Sequence, residues 1–263
     1  MTKTKMNTLL ATTAVLALAA CGGSGDGTAA NPTVSFTTAK QFADGGGVAT
    51  GVRSDGARSV FISPDIAEVV QAANSTSQED LTDINRSDFP IVQVLPSNAN
   101  MRQGAMTVDG IVFNVTVFED LGDNSQVALL EIPNSANAII SGGSPLGTIP
   151  TGGFTYSGTL GTGLRDIDPQ IELGNFTMNT NFNNGTFSFN GSTLSDTLVG
   201  NGFIDVNNGS LSSNNLSLTT SGTSRTATMY GNFHGGSAQG VSGLFHSNEA
   251  NPTHSGGFAG SRE

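Results

Sequence analysis

In the last hundred or so residues, large apolar side chains recur at every second position. Phe176, Met178, Thr180 and Phe182 fall in one phase, and Asn175, Thr177 and Asn179 in the other. That period is the signature of a strand with one buried face. Phe187 and Phe189 fall in phase with Gly185 and Gly191, and Met229, Gly231 and Phe233 have a matching set in Val241, Gly243 and Phe245. The pattern predicts eight strands, near 154–160, 171–182, 185–193, 197–206, 209–219, 225–233, 239–246 and 255–261. Asn183-Asn184-Gly185, Asn207-Asn208-Gly209, Ser221-Gly222-Thr223 and Gly235-Gly236-Ser237 separate them. Links this short force antiparallel neighbours, so the topology is up-and-down. Bulky residues and glycines on one face suit the interior of a small closed barrel, because glycine fits the taper and lets strands bend. A membrane-spanning barrel would turn its apolar face outward. The long Asn/Thr/Ser rows argue against that.

The region 34–133 has weaker periodicity. Ser59–Ser63, Ile91–Leu95, Ile111–Phe118 and Val127–Ile132 are strand candidates, the last two joined as a hairpin through Leu121-Gly-Asp-Asn-Ser125. Pro64–Ala73 reads as a short helix, with Ser63 as cap, Pro64 in the first turn, and Asp65 and Glu68 near its start. Residues 74–88 read as a polar loop. The expected architecture is all-β: a small β-rich domain over 34–133, a linker over 134–151 and the barrel over 152–263. The linker assignment rests on Ser141-Gly-Gly-Ser-Pro145 and Ile149-Pro-Thr-Gly-Gly153; a long loop inside one domain is the alternative.

The start of the chain has a different character. Lys3 and Lys5 precede an apolar run from Leu9 to Ala20, too short to cross a bilayer. It ends Leu18-Ala19-Ala20-Cys21, which resembles the bacterial lipoprotein signal. That resemblance implies cleavage after residue 20 and acylation of Cys21, the only cysteine in the chain. A lone cysteine in an exported protein has no partner for an internal disulfide. Residues 21–33 follow as a flexible, glycine-rich tether. The glycine after Cys21 matches lipoproteins sorted to the outer membrane.

Composition narrows the functional classes. Residues 1–20 carry two lysines and no acid, so their removal leaves eight basic against 21 acidic residues, a net −13. Such a charge argues against nucleic acid as a partner and against electrostatic adhesion to anionic lipid. It favours solubility, or a basic partner. Charged residues are only 12%, glycines number 35 and tryptophan is absent, a composition that suits an exported all-β protein.

Gly231-x-Phe233-His-Gly235, Gly243-x-Phe245 and Gly257-Phe258-x-Gly260-x-Arg262 together resemble the barrel of transferrin-binding protein B and related surface lipoproteins. The resemblance spans about 110 residues. It implies an eight-stranded barrel behind a β-rich handle, a lipid anchor on the outer membrane, often display on the cell surface, and binding without catalysis. Relatives in that group bind host iron proteins, haem-carrying proteins or complement regulators. This chain has room for one handle–barrel lobe and lacks long loops between its barrel strands, so transferrin itself is not expected and no contact residue carries over. Gly231, Phe233, Gly235, Gly243, Phe245, Gly257, Phe258 and Gly260 are read as barrel-closing residues.

The remaining chemistry is sparse. His246 and His254 flank one loop and form a candidate metal or haem pair, with Glu249 beside them, against the alternative of solvated loop histidines. His234 falls at the opposite barrel end. Asp166, Asp168 and Glu172 alternate as a hard-cation site would require, or form a polar loop; Glu119, Asp120 and Asp123 read the same way in a hairpin turn. No nucleophile elbow, phosphate loop or dinucleotide fingerprint is present in the sequence. No cofactor is implied and no enzymatic activity is expected. The expected function is a lipid-anchored outer-membrane binding module for a protein or small solute, with iron or haem acquisition as one form. The alternative is an envelope lipoprotein that captures no solute.

Overall fold

The computed structural model of the protein describes residues 47–53, 56–62, 89–108, 111–122, 125–132, 136–164, 171–249 and 252–263. Among these residues, fifteen strands make two bodies. The first is a seven-stranded antiparallel sheet of β1 (Gly47–Arg53), β2 (Gly56–Ile62), β3 (Ile91–Leu95), β4 (Ala99–Val108), β5 (Ile111–Asp120), β6 (Gln126–Ile132) and β7 (Ala136–Gly142), in the order β1-β2-β7-β6-β5-β4-β3. The second is a closed barrel of β8 (Gly153–Leu164), β9 (Glu172–Asn181), β10 (Thr186–Ser192), β11 (Asp196–Asp205), β12 (Ser210–Thr220), β13 (Thr223–His234), β14 (Gly240–Ser247) and β15 (His254–Arg262). Each barrel strand pairs with its sequence neighbour, and β15 returns to pair with β8 from His254↔Leu164 to Arg262↔Tyr156. The expected all-β, up-and-down barrel is what forms.

The alternation read from the sequence decides which face goes inside. On β9, Phe176, Met178 and Thr180 are buried while Asn175, Thr177 and Asn179 are exposed. Phe189, Phe233, Phe245 and Phe258 are all 2% exposed or less. Their rings meet in two groups along the axis. Phe176 stacks on Phe189 at 5.2 Å between centroids, and Phe258 sits edge-on to Phe176 at 5.3 Å. Further along, Phe233 lies 5.2 Å from Tyr156 and 4.9 Å from Phe182. Such offset and edge-to-face pairs exploit the ring quadrupole, adding to the burial of area. The Tyr156 hydroxyl donates to the Ala238 carbonyl at 2.6 Å, so its polar tip is satisfied at the barrel's end. The Ser221-Gly222 turn between β12 and β13 has φ of 48° and 82°, the two left-handed residues that a tight hairpin demands.

The sheet lies against the outside of the barrel. Phe118, Val127, Leu129 and Ile139 from the sheet pack on Leu244, Ala259 and Tyr230 from the barrel. β14 and most of β15 are therefore buried on both faces, unlike β9 to β12. Gly257 permits this approach: a Cβ there would stand 2.5 Å from a Val127 methyl. Polar groups stitch the same surface. The Ser242 hydroxyl donates to the Gly142 carbonyl at 3.1 Å, leaving its oxygen to accept from His234 Nε2 at 2.8 Å.

The stretch read as a linker contains strand β7, Ala136–Gly142, where the apolar run Ala138-Ile139-Ile140 pairs with β6 and β2. Glycine and proline at its flanks signalled a loop, but burial of Ile139 outweighs them. The rest of that stretch caps one end of the barrel. Gly147 and Thr148 donate backbone N–H groups to Gly235 and Gly236, and Leu146 and Ile149 pack against the barrel core. The short helix expected over Pro64–Ala73, the signal at 1–20, Cys21 and the tether at 21–33 lie outside the described residues.

Phe258 belongs to the inner ring group and is fully buried. Phe258→Ala is expected to lower the unfolding free energy by about 3–5 kcal/mol, measured by urea denaturation. Retention of parental stability would show that the rings do not hold the barrel shut.

Candidate functional site

The barrel axis is taken up by side chains. Tyr156, Leu160, Met178, Leu198, Leu216, Leu218, Met229 and Phe245 are fully buried within it. A barrel this size has an interior that side chains fill. The surfaces open to a partner therefore lie outside it.

On the outer face of β9 to β13, a concave groove of about 890 Å³ runs over Asn179, Asn181, Thr186, Asn201, Ser212 and Tyr230. Phe203 stands in it, 72% exposed. Cross-strand pairing sets it in a polar row, with Thr186 on one side and Ser212 on the other, followed by Tyr230. The groove is shaped by two interruptions in the ladder, between Val199 and Phe203 on β11 and between Ser213 and Leu216 on β12. Bulges of this kind deepen local twist and re-aim side chains. Its signal in the sequence is its phase: Phe203 alternates with the inward Gly202 and Ile204 and so stands outside the set of inward phenylalanines.

The histidines separate. His246 and His254 lie at one end of the barrel on the adjacent strands β14 and β15, but strand alternation sets them on opposite faces. Phe245 points inward, so His246 points outward, while His254 shares the inward phase of Phe258. His246 Nδ1 lies 3.0 Å from the Ser247 carbonyl, and burial holds its pKa below the ordinary histidine value. His254 Nδ1 lies 2.8 Å from the Thr253 hydroxyl and its Nε2 3.4 Å from Arg225, which pairs with Glu249 at 3.1 Å. Two imidazoles converging on one ion or haem are not what this arrangement presents, and the described residues hold no cluster of three metal-ligating side chains. His234, at the opposite barrel end, is fully buried where the sheet meets the barrel, with Gly143 packed against its ring.

Of the candidate carboxylates, the described ones Glu172, Glu119 and Asp120 hold local structure. Glu172 accepts from the Thr193 hydroxyl at 2.9 Å and from both the backbone and the hydroxyl of Ser195, which lower its pKa, the Ser195 hydroxyl most. It fastens the β10–β11 turn; Asp166 and Asp168 lie outside the described residues. Glu119 does not sit in a turn. It is the penultimate residue of β5, buried, and accepts from Arg102 at 3.2 Å and from Asn100 at 3.3 Å. Asp120 accepts the Gly122 N–H at 2.8 Å and the Ser261 hydroxyl at 3.4 Å, tying sheet to barrel; Asp123 lies outside the described residues.

No protein-family model matches the chain, and no curated protein matches it in sequence. Several solved structures share its fold. Intact Ap-TbpB, with N and C lobes, aligns with a TM-score of 0.44 at 13% identity, over 62% of this chain and 38% of that one. The isotype 1 transferrin binding protein B of serogroup B Neisseria meningitidis aligns with a TM-score of 0.46 at 16% identity, over 64% of this chain and 37% of that one. The N-lobe domain of lactoferrin binding protein B from Moraxella bovis aligns with a TM-score of 0.38 at 11% identity, over 74% and 85%. The similarity is one of fold alone, and the chain spans well under half of each of the first two.

Because burial favours neutral His246 in the fold, its stabilising contribution is present above the unfolded pKa of about 6.5 and is lost as pH falls toward the lower folded value. His246→Gln is expected to flatten the fall in urea midpoint between about pH 7 and pH 5. An unchanged slope would place His246 in water.

Proposed function

We propose that this chain is an outer-membrane lipoprotein, held by acyl chains on Cys21, that binds another protein on the outer face of its barrel. A filled barrel axis supports a surface mode of binding over capture of a solute inside. The groove around Phe203 supplies what such a surface needs: one exposed aromatic anchor ringed by amides and hydroxyls that can pair with a partner's backbone. The acidic chain favours a partner with basic character. Its lipid signal and glycine-rich tether support display of the folded part away from a membrane.

The anchor is tested by labelling with palmitate: the parent chain is expected to incorporate it and Cys21→Ser to lose it, and equal labelling of both would remove Cys21 from the reading. The surface is tested by affinity capture from the native medium with the soluble fragment from about Asn31. Phe203→Asp is expected to lower capture of a specific protein at least tenfold while leaving the circular dichroism spectrum unchanged. Capture insensitive to Phe203→Asp would move binding off this groove, and the absence of any captured protein would favour an envelope lipoprotein without a ligand.

A further inference from the structure

Where the sheet diverges from the barrel, a cleft of about 720 Å³ opens between them. Gln93, Gln103, Thr116 and Glu131 line it from the sheet, and Leu173 and Asn175 from the barrel. Glu131 is the unusual member. It follows Val127 and Leu129 in the phase of β6 that faces the barrel, and it is only 6% exposed. Other described carboxylates near the sheet–barrel junction are engaged: Glu119 by Arg102, Asp120 by Gly122 and Ser261, and Glu172 by Thr193 and Ser195. Glu131 makes no hydrogen bond or ion pair with any described residue. Burial without compensation raises its pKa from 4.5 to about 7.

Among the described residues, no cation of the surrounding strands is placed to neutralise it. Arg102 and Glu119 pair on the opposite face of the sheet, as the alternation of β4 and β5 requires. Asp120 lies at the far end of β5, and Glu172 is turned inward on β9 toward Ser195. The cleft's other polar groups are amides and hydroxyls, which hydrogen-bond an ion without cancelling its charge. A buried carboxylate beside such groups is complementary to a positive group that carries several N–H donors.

We propose that the cleft between sheet and barrel binds an ammonium or guanidinium group, with Glu131 as its counter-ion and Gln93, Gln103, Thr116 and Asn175 accepting its remaining N–H bonds. Leu173 packs on the alkyl stem. The cleft has the volume of a small-ligand site, and the net negative charge of the chain concentrates cations near it. The same group arrives either on a free alkylamine or alkylguanidine, or on the side chain of a basic peptide segment. The inference does not rest on the barrel groove or on Cys21.

Calorimetric titration of the full chain with agmatine, and separately with the blocked tripeptide acetyl-Gly-Arg-Gly-amide, distinguishes the two sources. Binding requires ionised Glu131, so affinity is expected to rise about tenfold between about pH 6 and pH 8, with proton release near pH 6 seen as a dependence of the heat on buffer. Tighter binding of agmatine assigns the site to free amines, and tighter binding of the tripeptide to peptide side chains. Glu131→Gln is expected to abolish both the binding and its pH dependence, while its melting temperature at pH 8 equals or exceeds the parent's, since a desolvated charge is gone. Asn175→Trp, at an exposed barrel position, is expected to block entry with Glu131 intact. Absence of binding by either probe at millimolar concentration at pH 8, or binding equal in the parent and Glu131→Gln, overturns the proposal.

Discussion

The ladder between β8 and β15 is the constraint on which the rest depends. A sheet that curls into a barrel has to meet itself, and here it does so through the backbone, at positions where side chains would stand in the way. Gly158 faces Gly260 and Gly161 faces Gly257 across that seam. A Cβ on Gly158 would stand 2.3 Å from the Ala259 carbonyl oxygen, and one on Gly260 would stand 2.2 Å from that of Ser157. Closure removes the exposed edges that an open sheet of this length would offer. It also points the phenylalanines of β9, β10, β13, β14 and β15 at one another, so the aromatic core and the seam require each other. The seam is the side on which the second sheet docks, through Gly257 and Ala259. One set of small residues thus serves closure and docking at once.

The barrel was legible because its signal is local and redundant. Period-two alternation, Asn-Gly and Ser-Gly turns and the spacing of phenylalanines all point the same way, and the eight strands fall within a few residues of where these place them. The sheet was less legible. β4, Ala-Asn-Met-Arg-Gln-Gly-Ala-Met-Thr-Val, has little strand propensity of its own and is held by ladders to β3 and β5. β7 is short and framed by loop residues, and becomes a strand because β2 and β6 flank it. β7 depends on β2, distant in sequence, and β4 on the ladders of its two flanking strands, which no pattern within either strand reports.

Site residues divide the same way. His246 and His254 looked paired because they are close along the chain; strand alternation sends one outward and one inward. Glu131 is inconspicuous in the sequence because it sits in a strongly apolar strand, yet its phase with Val127 and Leu129 marks it as a carboxyl turned toward the packed face. Whether that face would be sealed or open at Glu131 depends on how far the sheet diverges from the barrel, a tertiary quantity. Phe203 is the mirror case, an aromatic in the outward phase, exposed because no described element covers β11.

The segment leading from β7 into β8 does more than connect them. Leu146 and Ile149 close one mouth of the barrel, and the backbone of Gly147 and Thr148 is bound to the β13–β14 turn. The eight strands alone would therefore leave the Tyr156–Phe233 end wet. A gene fragment encoding a self-sufficient barrel has to begin upstream of its first strand, and any duplication or exchange of barrels between proteins has to carry this lead-in as part of the inherited module.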